Sequence, residues 1–223
     1  MTILNRRAFL AGSAALIAST LAGCATSASP VRAQGSTQAR RSVPPDVAAM
    51  YAAVLDDEYP IRASNMESIP EQFLRQEVPN TTGEPAGSVL VDTTDRFLYH
   101  VRDNGMATRY GVGIGAAGFS WSGRAHIAYK RSRPRWTPPS DMINRHPELE
   151  IYRYGMEPGP ENPMGPRALY IHQGNKDTLY RIHGNEDEKT IGEAISSGCV
   201  RLLPQDIIHL YDNVRSGSPL LVV

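Results

Sequence analysis

Short apolar runs separated by turn residues fill the chain from Gly87 onward. Val89-Leu90-Val91, Phe97 to Val101 and Ala107 to Ile114 read as strands, the last two joined through Asp103-Asn104-Gly105, a strong hairpin signal. Ala125 to Tyr129, Ala168 to His172, Leu179 to His183 and Leu220 to Val223 extend the series, and Pro204 to Val214 reads as a helix opened by proline at its first position. Upstream, Val47, Met50, Tyr51, Val54 and Leu55 fall at helical spacing behind Asp46, which predicts one amphipathic helix over 46–57. Residues 58–85 show neither period, and the proline-rich stretch between Arg131 and Arg167 reads as a long loop, a candidate lid or substrate wall. The fold class expected is mainly β with minor helices.

The first residues have a different pattern. Asn5-Arg6-Arg7-Ala8-Phe9-Leu10 followed by an uncharged run to Gly23 forms a basic n-region and a short apolar h-region, as an export signal requires. The paired arginines resemble a twin-arginine signal, and the run is shorter than the roughly 20 apolar residues of a spanning helix. Leu21-Ala22-Gly23-Cys24 resembles a lipobox, which makes Cys24 the expected lipid anchor; cleavage after Val31-Arg32-Ala33 is the alternative. Residues 25–45 lack large apolar side chains and read as a tether. The organisation expected is therefore a signal over 1–24, a tether over 25–45, a short extension over 46–85 and a strand-rich domain over 86–223. The protein is expected in the periplasm or cell envelope, touching membrane only through the lipid.

Charge changes little in this picture. Lys plus Arg and Asp plus Glu both number 23, so no excess positive field exists to hold nucleic acid. Cysteine usage changes more. With Cys24 lipidated or removed, Cys199 is left without a disulfide partner in an oxidising compartment, so its thiol is either inert and buried or kept for chemistry.

Its neighbours favour chemistry. His183-Gly184 ends a strand sixteen residues before Ser196-Ser197-Gly198-Cys199-Val200-Arg201, a tight glycine-containing turn. An imidazole near a thiol supplies the base that makes it a nucleophile, and backbone N–H groups at Ser197, Gly198 and Cys199 can stabilise an oxyanion. A zinc site from His172, His183 and Cys199 lacks the close paired spacings that such sites use, so no metal and no other cofactor is expected.

The pattern H-G followed by S-x-G-C-x-R resembles the L,D-transpeptidase catalytic domain of YkuD or ErfK type. Asn162-Pro163-Met164-Gly165, Trp136-Thr137-Pro138-Pro139 and Gly217-Ser218-Pro219 are similar to further landmarks of that family, over roughly residues 86–223. The resemblance implies a β-sandwich-type domain that exchanges peptide bonds in peptidoglycan stems. Cys199 would take the acyl group of a tetrapeptide and release D-alanine, with His183 as general base and the Gly184 carbonyl orienting the imidazole. Ser196 would shape the turn, Ser197 would tolerate change, and Arg201 would brace the site or meet a substrate carboxylate. His172 in Ile171-His172-Gln173-Gly174 is expected as a cleft neighbour, and His209 as a helix residue. The basic run of Lys130, Arg131, Arg133 and Arg135 beside Trp136 suits either an acidic stem peptide or solvent. The acceptor expected is a stem amine or an envelope protein, with water (an L,D-carboxypeptidase) or an inactive wall-binding module as alternatives; a monomer is expected.

Overall fold

The computed structural model describes residues 43–55, 57–116, 121–196 and 198–223. Cys24, the paired arginines, Ala33 and Ser197 lie outside the described residues. Eleven strands carry the fold: β1 (Gln76–Pro79), β2 (Val89–Asp92), β3 (Phe97–Val101), β4 (Met106–Gly111), β5 (Ile114–Gly115), β6 (Gly123–Ser132), β7 (Arg167–Gln173), β8 (Lys176–Gly184), β9 (Ala194–Ser196), β10 (Val200–Leu202) and β11 (Pro219–Val222). Among the described residues three α-helices accompany them: α1 (Pro45–Met50), α2 (Ser140–Arg145) and α3 (Pro204–Asn213). The main sheet runs β1-β4-β3-β2-β11-β6-β7-β8-β10, and β5 pairs with β9.

That sheet cannot be flat. The chain leaving β4 bridges Gly113 to Arg201 on β10, at the opposite edge, and Gly192 N–H donates to Val112 O. The two ends of the sheet therefore curl toward each other around one core, with Val91, Leu98, Tyr110, Ile127, Leu169, Ile182, Leu202 and Ile207 in it. This is the mainly β, sandwich-type architecture.

The amino-terminal segment departs from its expected form. Helix α1 stops at Met50, short of the expected Asp57, because Tyr51 turns inward to 1% exposure while Leu55 is left 75% exposed. Residues 58–85 are not irregular throughout: two 3-10 turns lead into β1, which pairs antiparallel with β4 at the sheet edge. Tyr51, Ile69, Phe73 and Leu74 form a second apolar cluster with Ile191 and Leu203. The segment also clasps α3 through polar groups. Gln205 Nε2 donates to the carbonyls of Ala52 (3.1 Å) and Arg62 (3.0 Å), and Tyr51 Oη donates to Asp206 Oδ2 at 3.1 Å.

Asp206 is fully buried, and burial pushes its carboxyl from 3.8 up to about 7 against the pull of Arg75 and Tyr51. The folded chain thus holds a proton that the unfolded chain releases, and stability falls as pH rises between those two values. Asp206→Asn should remove this contribution. Urea titrations between pH 4 and pH 7 should show the variant gaining on wild type as pH rises; a constant difference would sink the assignment.

The stretch between Arg131 and Arg167 is not a bare loop. It holds α2 and a 3-10 helix at Pro147–Tyr152, and Trp136 is half-buried, 6.2 Å from the Tyr152 ring, with its backbone bridged to Met156.

Candidate active site

Strand register decides which side chains share a surface. Alternate residues of a strand point to one face, and paired residues on neighbouring strands point to the same face. On β8, Ile182 and Gly184 face α3, and so do Leu169 on β7 and Leu202 on β10. The opposite face carries His183 and Arg181 on β8, with Arg201 on β10 directly beside His183. Extending that register by one residue puts Cys199 beside Arg181. The imidazole and the thiol are thus diagonal neighbours on adjacent parallel strands, about 8 Å apart at the backbone from the rise and spacing of strands.

His183 is 5% exposed, and its Nδ1 lies 2.8 Å from Gly184 O. A carbonyl only accepts, so Nδ1 carries the proton and Nε2 is left as the basic nitrogen. Burial, aided by the Arg201 cation, pulls the imidazole down to about 4, against the carbonyls of Gly184 and Pro163. Cys199 is half-buried and unpaired. Burial pushes its thiol up, opposed by the Arg181 backbone N–H and by the Arg181 and Arg201 guanidinium groups. The resting pair is therefore neutral imidazole and thiol, suited to proton transfer during attack rather than to a standing ion pair.

The turn that presents the thiol is held from within. Ser196 Oγ donates to Cys199 O at 2.6 Å and accepts from Gly198 N at 3.3 Å. Gly198 has φ of 125°, open to glycine and costly for other residues. The Gly198 N–H is directed at Ser196 Oγ, and the Cys199 N–H donates to no acceptor among the described residues. Gly165 backs the other side: its φ is 64°, and a side chain there would meet Gly184 O at 2.8 Å, the carbonyl that fixes His183.

Arg201 is half-buried, makes no ion pair among the described residues, and its Nε is buried without a partner. His172 shares the open face but stands farther along β7, 4.0 Å from Asp177 and edge-on to Tyr129. His209 lies apart on α3, 2.8 Å from the Tyr110 hydroxyl. The basic run disperses: Lys130 reaches the carbonyls of Tyr211 and Val214, Arg133 pairs with Asp57 and Arg135 with Glu157. No group of three or more His, Cys, Asp or Glu side chains is placed to hold a metal among the described residues.

Residues 86–222 match the family model of the L,D-transpeptidase catalytic domain, YkuD. The chain belongs to this family. Within it, the chain is 32% identical over 173 residues to the Escherichia coli K12 protein named Probable L,D-transpeptidase YbiS, covering 73% of this chain and 51% of that protein. To Probable L,D-transpeptidase ErfK/SrfK of the same organism it is 30% identical over 167 residues, covering 73% and 50%. A crystal structure from Brucella melitensis, described as a probable carnitine operon oxidoreductase, is 42% identical, with 71% of this chain and 99% of that one covered and a TM-score of 0.49. The chain spans about half the length of the curated relatives it matches.

Sequence reading missed Arg181 and Tyr170. Arg181 lies two residues before His183, so strand alternation alone places it on the catalytic face.

Proposed function

We propose that this protein is a peptidoglycan L,D-transpeptidase with Cys199 as nucleophile and His183 as general base. The observation that supports it is that strand register puts a partly buried, unpaired thiol on the same sheet face as an imidazole on the neighbouring strand whose Nδ1 is pinned to Gly184 O. His183 Nε2 takes the thiol proton as sulfur attacks the scissile carbonyl of a tetrapeptide stem. The Cys199 N–H meets the developing oxyanion. Collapse expels the D-alanine amine, which takes the proton back from the imidazolium, and leaves a thioester. An acceptor amine then loses a proton to His183 and displaces the thiolate, which is reprotonated. Arg201 braces the pocket and meets a substrate carboxylate, and a guanidinium suits that task by its paired donors. His172 borders the cleft, and Ser196 holds the turn.

The family membership and the L,D-transpeptidase names of its relatives support this reading. Export on the twin-arginine-like signal, anchoring at Cys24 and a tether over 25–45 complete it, with the protein in the cell envelope and monomeric. The acceptor is a stem amine or an envelope protein. Incubating the protein with tetrapeptide muropeptides should release D-alanine and leave an acyl adduct, seen by intact mass, that an added amine discharges. Discharge by water alone would make it a carboxypeptidase, and absence of any adduct would remove the reading. The mass of protein extracted from its own membranes tests the anchor, since an unacylated mature chain excludes lipidation.

A further inference from the structure

The sheet face around Cys199 is a grid of two rows that cross four strands, buried at Ala168 and His183 and most exposed at Arg131. One row, read from β6 to β10, is Arg131, Ala168, His183 and Arg201. The other is Tyr129, Tyr170, Arg181 and then Cys199. The second row is a stack. The Tyr129 and Tyr170 rings lie 4.3 Å apart and 17° from parallel, Arg181 sits 4.3 Å over Tyr170, and Arg131 sits 5.5 Å from the Tyr129 ring.

Charge on this face is unbalanced. Arg181 is committed to Asp177, with both Nη atoms bonded to its carboxylate at 2.7 and 2.8 Å. A wide bulge makes that clamp possible: three residues of β8, Thr178 to Tyr180, stand opposite Ile171 alone, and Leu179 adopts φ of 64°. Bulges of this kind re-aim side chains beside active sites. Arg131 and Arg201 are left without ion pairs among the described residues, at the far and near ends of the grid. Of the basic run at 130–135, Arg131 alone keeps an exposed, uncommitted guanidinium, since Lys130, Arg133 and Arg135 are engaged elsewhere.

We propose that this tyrosine stack is the donor-peptide platform and that Arg131 is a specificity-determining residue that binds a free carboxylate on the donor. The inference rests on the transpeptidase reading and names a subsite within it. A donor with its scissile carbonyl at Cys199 runs across β8 and β7 toward β6. Three strand spacings are about 14 Å; the three residues on the acyl side of the scissile bond span about 10 Å of this when extended, and the long Arg131 side chain, which leans back over the Tyr129 ring, covers the rest. The tyrosine faces support its backbone, and the two unpaired guanidinium groups favour an acidic peptide over a neutral or basic one.

Binding to Cys199→Ala protein, measured by calorimetry, separates this subsite from turnover. A tetrapeptide muropeptide with free carboxylates should bind about a hundredfold tighter than the same peptide with those carboxylates amidated, since Arg131 and Arg201 each lose a charge-assisted hydrogen bond. Adding Arg131→Gln should cut that preference to about tenfold, the share that Arg201 keeps. Tyr129→Leu should weaken both peptides alike, which reports the stack and not the charge. Arg131 is exposed, so its replacement leaves the fold intact, and circular dichroism checks this. A free-to-amidated preference unchanged by Arg131→Gln overturns the proposal. Failure of wild-type protein to form any acyl adduct overturns instead the reading beneath it.

Discussion

Cys199→Ala is expected to lower D-alanine release from tetrapeptide muropeptides by about four orders of magnitude or more, since no other side chain can form the acyl-enzyme. Only the sulfur is lost, and the turn is held by Ser196 Oγ on the Cys199 carbonyl, a bond that alanine keeps. Denaturation midpoints should therefore move little. The charge state of the pair adds a second measurement. Burial holds the thiol above its ordinary range and holds the imidazole neutral down to about 4. Alkylation by iodoacetamide should be slow at neutral pH and climb through the ordinary thiol range near pH 8.5 and beyond. A rate already at its plateau below pH 7 would mean a standing thiolate–imidazolium pair, and the neutral-pair account would fail. Residual turnover by the alanine variant would remove Cys199 from the chemistry altogether.

The turn that presents Cys199 was legible in the sequence because its geometry is local. His183 and Gly184 are consecutive, and Ser196 to Arg201 form one turn, so few long-range facts are needed to place them. Most strands with several apolar residues were legible for the same reason. Strands β1, β9 and β10 were not: Gln-Glu-Val-Pro, Ala-Ile-Ser and Val-Arg-Leu are too short and mixed to show alternation, and pairing alone makes them strands. The platform beside Cys199 was illegible for a further reason. Tyr129, Tyr170 and Arg181 meet only through the register of β6, β7 and β8; the one-residue bulge between β6 and β7 shifts the parity that a reader of sequence would count, and the larger one between β7 and β8 moves the register by two. Lys130 and Arg131 illustrate the cost of ignoring parity. Adjacent in sequence and alike in charge, they point to opposite faces, one bonded to the end of α3 and the other beside the catalytic groups.

Asp57→Asn is expected to cost about 3–5 kcal/mol of stability, the price of leaving a buried cation without its partner. Asp57 and Arg133 side chains are 4% and 6% exposed, and Asp57 bonds Arg133 Nε at 2.6 Å and Arg167 Nη1 at 2.8 Å. The carboxylate thus ties the amino-terminal segment to the end of β6 and the start of β7, the two roots of the stretch that holds α2. Burial alone would raise the Asp57 carboxyl, but the bonds to Arg133 and Arg167 outweigh it and hold the group below its ordinary value. Its contribution is then present above the unfolded value and lost as pH falls through the lower folded one. Arg133 needs this anchor in a second way, because its backbone sits at φ of 44°, unfavourable for a side-chain-bearing residue and held by the Arg133 N–H to Pro166 O bond of 2.9 Å. Loss of the Asp57 charge weakens the hold on both arginines at once, leaving Arg133 to the Tyr59 carbonyl and Arg167 to the Pro166 carbonyl, so hydrogen exchange should rise across residues 133–166 before it rises in β7 or β8. Urea midpoints should drop with an unchanged slope. A loss below about 1 kcal/mol, the level of an exposed ion pair, would show that the pair does not hold the roots together, and exchange confined to residues near Asp57 would show that the stretch beside the active site is secured by other contacts.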